Sequence, residues 1–125
     1  MEMPQDKIVP TELRLLQADR LLRISFDDGS SFDLGCEYLR VNSPSAEVKG
    51  HGPGQEVLQV GKRAVNINAI EPVGNYAVKL VFDDGHDTGL YTWAYLYRLG
   101  CEYEQRWSAY LQALEAAGLS REAQA

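Results

Sequence analysis

The sequence of 125 residues is poor in the side chains that hold metals or form disulfides, with two histidines and two cysteines. A non-haem iron oxygenase needs two histidines and a carboxylate at one metal, and neither His51 nor His86 opens a His-x-Asp motif. A structural zinc site needs four nitrogen or sulfur ligands, and Cys36 and Cys101 fit no zinc-module spacing. We therefore expect two reduced cysteines and neither kind of metal centre.

An excess of positive charge and long apolar runs are also lacking. The formal net charge is −6, whereas proteins that bind nucleic acid or anionic membranes present a positive surface. No apolar run approaches the length of a membrane span, and the first six residues are polar and acidic, unlike a signal peptide. We expect a cytoplasmic protein with neither nucleic acid nor membrane as a partner.

No recognisable set of catalytic groups is present in the sequence. The glycines at positions 50, 52 and 54 are not followed by Gly-Lys-Ser/Thr or by a helical pattern, so they do not form a nucleotide-binding loop. Nothing places either cysteine beside a histidine or at a helix N-terminus, where a reactive thiolate would form. One enzymatic alternative stays open, a small-molecule enzyme that uses His86 and a neighbouring aspartate as an acid–base pair.

What the sequence has is alternating apolar residues around two similar turns. Alternation at every second position predicts strands in the segments 11–16, 22–26, 31–34, 65–67 and 76–82, with a break at 72–75. Asp27–Gly29 and Asp83–Gly85 are Asp-Asp-Gly turns, in which aspartate accepts backbone N–H groups and glycine supplies a positive φ. Turn formation explains these aspartates better than calcium binding, because adjacent aspartates point in different directions.

Each turn leads into a return strand and a short helix, which indicates an internal duplication. The helices are predicted at 36–40 and 92–99, the second of them ended by Gly100. A C-terminal helix is predicted at 102–117, with Gly118 after its end and an apolar face of Tyr103, Trp107, Leu111 and Leu114.

The predicted fold is therefore α+β and mostly β. Two similar hairpin units form a small antiparallel core with short helices and a C-terminal helix. We expect a flexible N-terminus over 1–9, one domain over 10–118 and a tail over 119–125. The Gly/Pro-rich segment 49–55 is expected to be the most mobile internal region.

Three segments together resemble the gamma-butyrobetaine-hydroxylase-like N-terminal domain family: 37–48, 70–76 and 82–93. The resemblance covers roughly residues 10–105. In the hydroxylases this domain precedes the catalytic oxygenase domain, and elsewhere it stands alone or is joined to Mrp-type iron–sulfur cluster carrier ATPases. The resemblance thus implies an accessory or protein-interaction domain without hydroxylase activity, whose partner is an iron–sulfur carrier ATPase or an oxygenase.

The hydroxylase version of the domain carries zinc on three cysteines and one histidine. By position the cysteines fall on Ser43, Ser45 and Val48, and the histidine falls on His86. Thiolates supply most of the affinity of such sites, so we expect no bound cofactor. The alternative is transient binding of iron or zinc, or cluster handling, through His86 with Asp83, Asp84 and a cysteine.

The predicted interaction surface combines the segment that follows the first short helix with the histidine and the aromatic residues that follow the second turn. Amphipathic rings near one point suit a partner surface as well as a core. The residues assigned to this surface are Arg40, Asn42, Ser43, Ser45, His86, Tyr91 and Trp93.

Overall fold

The computed structural model describes residues 8–50 and 56–122, which form two antiparallel three-stranded sheets and four helices. The first sheet has the order β1-β2-β3, with β1 at Pro10–Leu16, β2 at Leu21–Phe26 and β3 at Ser31–Gly35. The second has the order β4-β5-β6, with β4 at Ile67–Val73, β5 at Ala77–Phe82 and β6 at Leu90–Thr92. The helices are α1 (Cys36–Val41), α2 (Ala46–Lys49), α3 (Trp93–Cys101) and α4 (Tyr103–Ala117). The predicted α+β class is confirmed.

The two sheets share the same strand order and the same details around their turns, although β6 is shorter than β3. In each turn, the first aspartate N–H donates to the residue before the first strand: Asp27 N to Val9 O at 3.0 Å, and Asp83 N to Asn66 O at 2.9 Å. Both first strands shift register near their start, and the glycines of both turns have a φ of 89°. Equal details at equal positions support the duplication inferred from the sequence.

The first half of the chain (β1 to β3 with α1) and the second half (β4 to β6 with α3) are joined by reciprocal pairs of hydrogen bonds. The Tyr38 hydroxyl of α1 donates to Leu99 O in α3 at 2.6 Å, and the Tyr95 hydroxyl of α3 donates to Asn42 O at 2.6 Å. The turns follow the same rule. Asp28 accepts a bond from Tyr97 of α3 at 2.6 Å, and Asp84 accepts one from Arg40 of α1 at 2.9 Å. The helix of each half therefore anchors the turn of the other.

One core joins both sheets and the helices. Its fully buried side chains come from every layer: Leu22, Ile24, Leu34, Leu39, Ile67, Leu80, Tyr91, Leu96 and Leu99. Burying a Leu or Ile side chain contributes about 1.5–3 kcal/mol, so this core is the main source of stability. Among the described residues, no helix is both long enough and apolar enough to cross a bilayer.

Strand β4 runs further than the sequence predicted. The break expected at 72–75 begins only at Gly74, because Pro72 and Val73 pair with Val78 and Ala77. Proline lacks an N–H donor, and β4 tolerates it because this strand lies at the edge of its sheet. The prediction of a break at Pro72 was therefore wrong.

Helix α3 passes through Gly100 and ends at Cys101, so the predicted stop at Gly100 was also wrong. Glycine is needed at this position for packing rather than for ending the helix. A Cβ atom on Gly100 would lie 2.6 Å from Cδ1 of Phe32, which is far too close for two carbon atoms. The absence of a side chain lets α3 lie flat against β3.

Helix α4 buries only part of the predicted face, because Leu114 is buried and Trp107 packs against the core as predicted, but two of the predicted residues are exposed. Tyr110 and Leu114 are its buried residues, whereas Tyr103 and Leu111 are 41% and 38% exposed. The Tyr110 hydroxyl donates to Gln59 O at 2.8 Å, so this face turns toward the segment that follows residue 55. The predicted end at Gly118 is confirmed: its φ is 68°, and Leu119 N donates to Leu114 O.

Residues near both ends of the chain contact the rest of the protein where the structure describes them. Gly61 N and Arg63 N donate to Ser120 O and Arg121 O, and Arg121 forms a two-pronged ion pair with Glu37 at 2.7 and 2.8 Å. Near the other end, Ile8 is buried. Residues 1–7, 123–125 and 51–55 lie outside the described residues.

Candidate functional site

The residues predicted from the zinc-binding relatives come together where α1 ends, α2 follows and the second hairpin closes. Ser43 Oγ lies 2.8 Å from His86 Nε2, and His86 Nδ1 lies 2.9 Å from a carboxylate oxygen of Glu47. Ser45 Oγ lies 2.7 Å from Thr88 Oγ1. We call Ser43, Ser45, Glu47, His86 and Thr88 the His86 cluster.

Local hydrogen bonds of the chain set the geometry of the His86 cluster. Ser43 Oγ accepts a bond from Ser45 N at 3.2 Å, and Ser45 Oγ accepts one from Glu47 N at 3.2 Å, which caps α2. In the second turn, Asp84 accepts a bond from His86 N at 3.2 Å. Short-range hydrogen bonds thus fix the local backbone that carries the imidazole and the two hydroxyls.

A comparison of the two halves explains why there is room for the cluster. The ring of Phe32 in β3 of the first half packs against Gly100 in α3 of the second half. The corresponding contact in the other direction is between Gly89 of the second half and Ser43 of the first, and a Cβ on Gly89 would collide with Ser43 Oγ. A buried polar network therefore occupies the place that an aromatic ring fills in the other half.

Burial controls the protonation of His86. The imidazole is 5% exposed, so desolvation lowers its pKa, as does the charge of Arg40, while Glu47 acts in the opposite direction. The ring is neutral at neutral pH. Its Nδ1–H donates to the Glu47 carboxylate, and Nε2 accepts the Ser43 hydroxyl proton.

The order serine, histidine, glutamate is also that of hydrolase triads. Ser43, however, is 0% exposed, and its Oγ already accepts a bond from Ser45 N. The backbone of Gly89 covers the same oxygen. A substrate carbonyl would have to displace these groups to reach it, so the arrangement as it stands holds the structure rather than presenting a nucleophile.

The cluster has hydrogen bonds where the zinc-binding relatives have ligands. Two hydroxyls and the buried Val48 stand in place of three thiols, and both imidazole nitrogens of His86 are bonded to protein. Across residues 8–50 and 56–122, no group of three or more His, Cys, Asp or Glu side chains could hold a metal. A metal at His86 would have to displace Ser43 or Glu47.

The aspartates of the second turn are also committed to protein contacts. Asp83 accepts a bond from Asn66 N at 3.0 Å. Burial acts to raise the pKa of Asp84, but bonds from Lys62, His86 N and Arg40 outweigh it and lower that pKa to about 2. Asp84 is therefore an anion that links the two halves.

The residues predicted as an interaction surface lie mostly inside the protein. Five of them are buried: Arg40, Ser43, Ser45, His86 and Tyr91. Only Asn42 and Trp93 are partly exposed, and Trp93 Nε1 donates to Asn75 O at 2.9 Å. The five buried side chains lie beneath the adjoining surface rather than on it.

That adjoining surface contains a groove of about 870 Å³, between the α1–α2 segment, residues 56–59 and helices α3 and α4. Val48, Val57 and Tyr110 contribute apolar lining, and Lys49 and Arg106 contribute positive charge. Lys49 Nζ lies 4.9 Å and Arg106 Cζ 5.7 Å from the centre of the Tyr95 ring. Below, this space is called the Tyr95 groove.

Sequence reasoning missed Glu47, Thr88 and the Tyr95 groove. Helix α2 is only four residues long, which is too short to give an apolar period. The one available signal was Ser45 two residues before Glu47, a spacing typical of a helix cap. The groove unites segments far apart in the chain, so no local pattern could reveal it.

Comparisons with known proteins agree with the resemblance. The family model described as gamma-butyrobetaine hydroxylase-like, N-terminal, matches residues 13–97. Two NMR solution structures are similar to this chain. One is 48% identical, has a TM-score of 0.81, and covers 94% of this chain and 92% of its own. The other is 56% identical, has a TM-score of 0.82, and covers 100% of this chain and 93% of its own. A search of curated proteins gave no significant match.

A crystal structure from Acidithiobacillus ferrooxidans ATCC 23270 is also similar, and it is described as a protein of unknown function in the DUF971 family. It is 37% identical, has a TM-score of 0.63, and covers 79% of this chain and 98% of its own. The chain belongs to the gamma-butyrobetaine hydroxylase-like N-terminal domain family, whose stand-alone DUF971 members are domains of unknown function.

Proposed function

We propose that this domain is a non-catalytic accessory module that binds a protein partner through the Tyr95 groove. The observation that carries the proposal is the contrast between two neighbouring features. Ser43, Ser45 and His86 of the His86 cluster are buried and bonded within the cluster, and its exposed members Glu47 and Thr88 are bonded to them, whereas the groove beside it combines rings, cations and apolar side chains. Tyrosine and arginine are the residue types that most often dominate binding energy at protein interfaces.

The rim of the groove supports a large partner. Val57 and Val60 are 54% and 40% exposed, so the apolar surface continues outward from the groove along the segment after residue 55. A single exposed valine is ordinary, but Val57 lines the largely apolar groove and Val60 follows Gln59 of its lining, so apolar side chains are exposed at this edge for a partner to cover. A polypeptide covers both groove and rim.

Family association suggests which partners to test. Relatives of this domain are joined to iron–sulfur cluster carrier ATPases or precede an oxygenase domain, so a separate chain of one of these classes is the proposed partner. The proposal places the encounter in the cytoplasm. In it the domain supplies no catalytic residue and no cofactor.

Binding to purified carrier ATPase and to purified oxygenase, under reducing and anaerobic conditions, tests the proposal. We expect the amide signals of the ¹⁵N-labelled domain to shift at Lys49, Tyr95 and Arg106. Ala113→Trp places a ring in the groove and should abolish binding, while Ala116→Trp adds the same ring on α4 outside the groove lining and should leave it intact. Binding to neither protein, or equal binding by the two variants, would contradict the proposal.

Metal analysis of the purified domain tests the absence of a cofactor. We expect no iron or zinc above background and no change on His86→Ala. Iron or zinc near one equivalent per chain that disappears in His86→Ala would instead assign the domain to metal handling.

A further inference from the structure

We infer that the Tyr95 groove selects a partner segment in which a carboxylate stands beside a large apolar side chain, with Lys49 and Arg106 pairing with the carboxylate. The inference rests on the proposed function and names the chemistry of the partner. It is carried by the charge at the mouth of the groove, by the donors that remain there and by the apolar lining.

The charge at the groove has the opposite sign from the protein as a whole. The chain has a net charge of −6, yet three cations surround the ring of Tyr95: Lys49 Nζ at 4.9 Å, Arg106 Cζ at 5.7 Å and Arg98 Cζ at 6.0 Å. Glu102 is shared between Arg106 at 2.8 Å and Arg98 at 3.8 Å. Glu56 also lines the groove, which leaves three cations for two carboxylates.

Donors remain available at this point. In the part of the chain that the structure describes, Lys49 forms no ion pair. Within residues 8–50 and 56–122, Arg106 donates from Nε to Glu102 and from one terminal nitrogen to Asn42 Oδ1 at 3.0 Å, and its second terminal nitrogen remains for a ligand.

Three cations against two carboxylates make the surroundings of Lys49 positive on balance. Partial desolvation lowers the pKa of the exposed Lys49, the charges of Arg106 and Arg98 lower it further, and the charge of Glu56 acts in the opposite direction. A carboxylate that enters the groove relieves this repulsion. A cationic or neutral occupant does not.

The rest of the groove accommodates the apolar side chain. Val48, Val57, Leu58, Tyr110 and Ala113 line it, and its volume of about 870 Å³ falls within the range of sites that enclose a ligand. The exposed rim residues Val57 and Val60 extend the apolar surface beyond what a small free acid would cover. These features favour a segment of polypeptide as the occupant.

Two mixtures of octapeptides test the inference, both with acetylated and amidated ends so that only side chains carry charge. One mixture is built from Asp, Glu, Leu and Phe, and the other from Lys, Arg, Leu and Phe, so their apolar content is matched. Binding is followed by amide shifts of the ¹⁵N-labelled domain. We expect the acidic mixture to bind about tenfold tighter or more, with the shifts centred on Lys49 and Arg106.

Charge reversal supplies the control. Lys49→Glu should weaken binding of the acidic mixture by about fivefold or more. Lys79→Glu makes the same change of net charge on β5, where Lys79 pairs with Glu71, and should leave the preference intact.

Equal binding of the two mixtures by the unaltered domain, or an unchanged preference in Lys49→Glu, overturns the inference. Octanoate that binds more tightly than the acidic peptides overturns the choice of a polypeptide. The proposed function fails by a different result, namely when Ala113→Trp and the unaltered domain behave alike toward purified carrier ATPase and oxygenase. If Ala113→Trp fails to bind a partner that Lys49→Glu still binds, the charge selection is refuted and the proposed function stands.

Discussion

A methyl group on Gly89 should destabilise the domain, and removing the Ser43 hydroxyl should relieve the effect. The Cβ of Gly89→Ala would overlap Ser43 Oγ and would lie 3.2 Å from Pro44 Cδ and 3.3 Å from Tyr91 Cε1. The φ of Gly89 is not positive, so alanine can adopt the backbone conformation. The cost therefore arises from packing and not from backbone strain.

The expected free energies follow from these contacts. Overpacking costs about 1–3 kcal/mol, from which the lower entropy of the unfolded alanine variant subtracts about 0.4–1 kcal/mol. Ser43→Ala removes the hydroxyl that bonds His86 Nε2 and Ser45 N and should cost about 1–3 kcal/mol. In the double variant the overlap with Oγ is gone, so its cost should be close to that of Ser43→Ala alone, with a coupling of about 1 kcal/mol or more.

Urea unfolding of the four proteins, followed by circular dichroism, measures these free energies. Gly35→Ala is the matched control, because a Cβ at Gly35 has no atom within 4 Å and its φ is −63°; its free energy of unfolding should change by less than about 1 kcal/mol. The reasoning fails if Gly89→Ala is as stable as Gly35→Ala. Strict additivity of the two single substitutions would also refute it, because it would mean that the methyl and the hydroxyl do not meet.

Three further predictions concern a buried histidine, the held C-terminal segment and the thiols. The pKa of His86 in the folded protein lies below that in the unfolded chain, so its contribution to stability is complete above about pH 6.5 and decreases as the pH falls. The urea midpoint of His86→Gln should therefore change less between about pH 6.5 and pH 5 than the midpoint of the unaltered protein. Arg121→Ala leaves a buried carboxylate unpaired and should cost about 2 kcal/mol in urea unfolding, whereas Arg63→Ala, in an exposed pair, should cost less than about 0.5 kcal/mol; equal losses would contradict this. Burial raises the pKa of Cys36 to about 11, so at about pH 8 only the exposed Cys101 should react quickly with a thiol reagent, and two fast thiols would show that the core is open.

Features set by neighbouring residues could be predicted from the sequence. The alternation around Asp27–Gly29 and Asp83–Gly85 predicted both hairpins, and Gly118 marked the end of α4. The equivalence of the two halves was visible for the same reason, since each repeats its local signals in the same order. Composition and turn chemistry are enough at this level.

Features decided by distant contacts could not be predicted in this way. Gly100 was predicted to end its helix because the neighbouring sequence does not show that Gly100 packs against the ring of Phe32, a residue distant in the chain. Pro72 was predicted to break its strand because the sequence does not show that β4 lies at the edge of its sheet, where proline is tolerated. In the site, the resemblance located Ser43 and His86, but their contact with Glu47 depends on where a one-turn helix settles.

The crossed anchoring of turns and helices bears on how the domain could have arisen and how it could be divided. Because Tyr38 and Tyr95 each bond the opposite half, a half on its own would leave its helix and its turn without their partners. A chain cut between residues 50 and 56 should therefore yield two fragments that are unfolded separately and reassemble on mixing. The same reciprocal bonds are those that two copies of one hairpin unit would form in a two-fold symmetric dimer that exchanged helices.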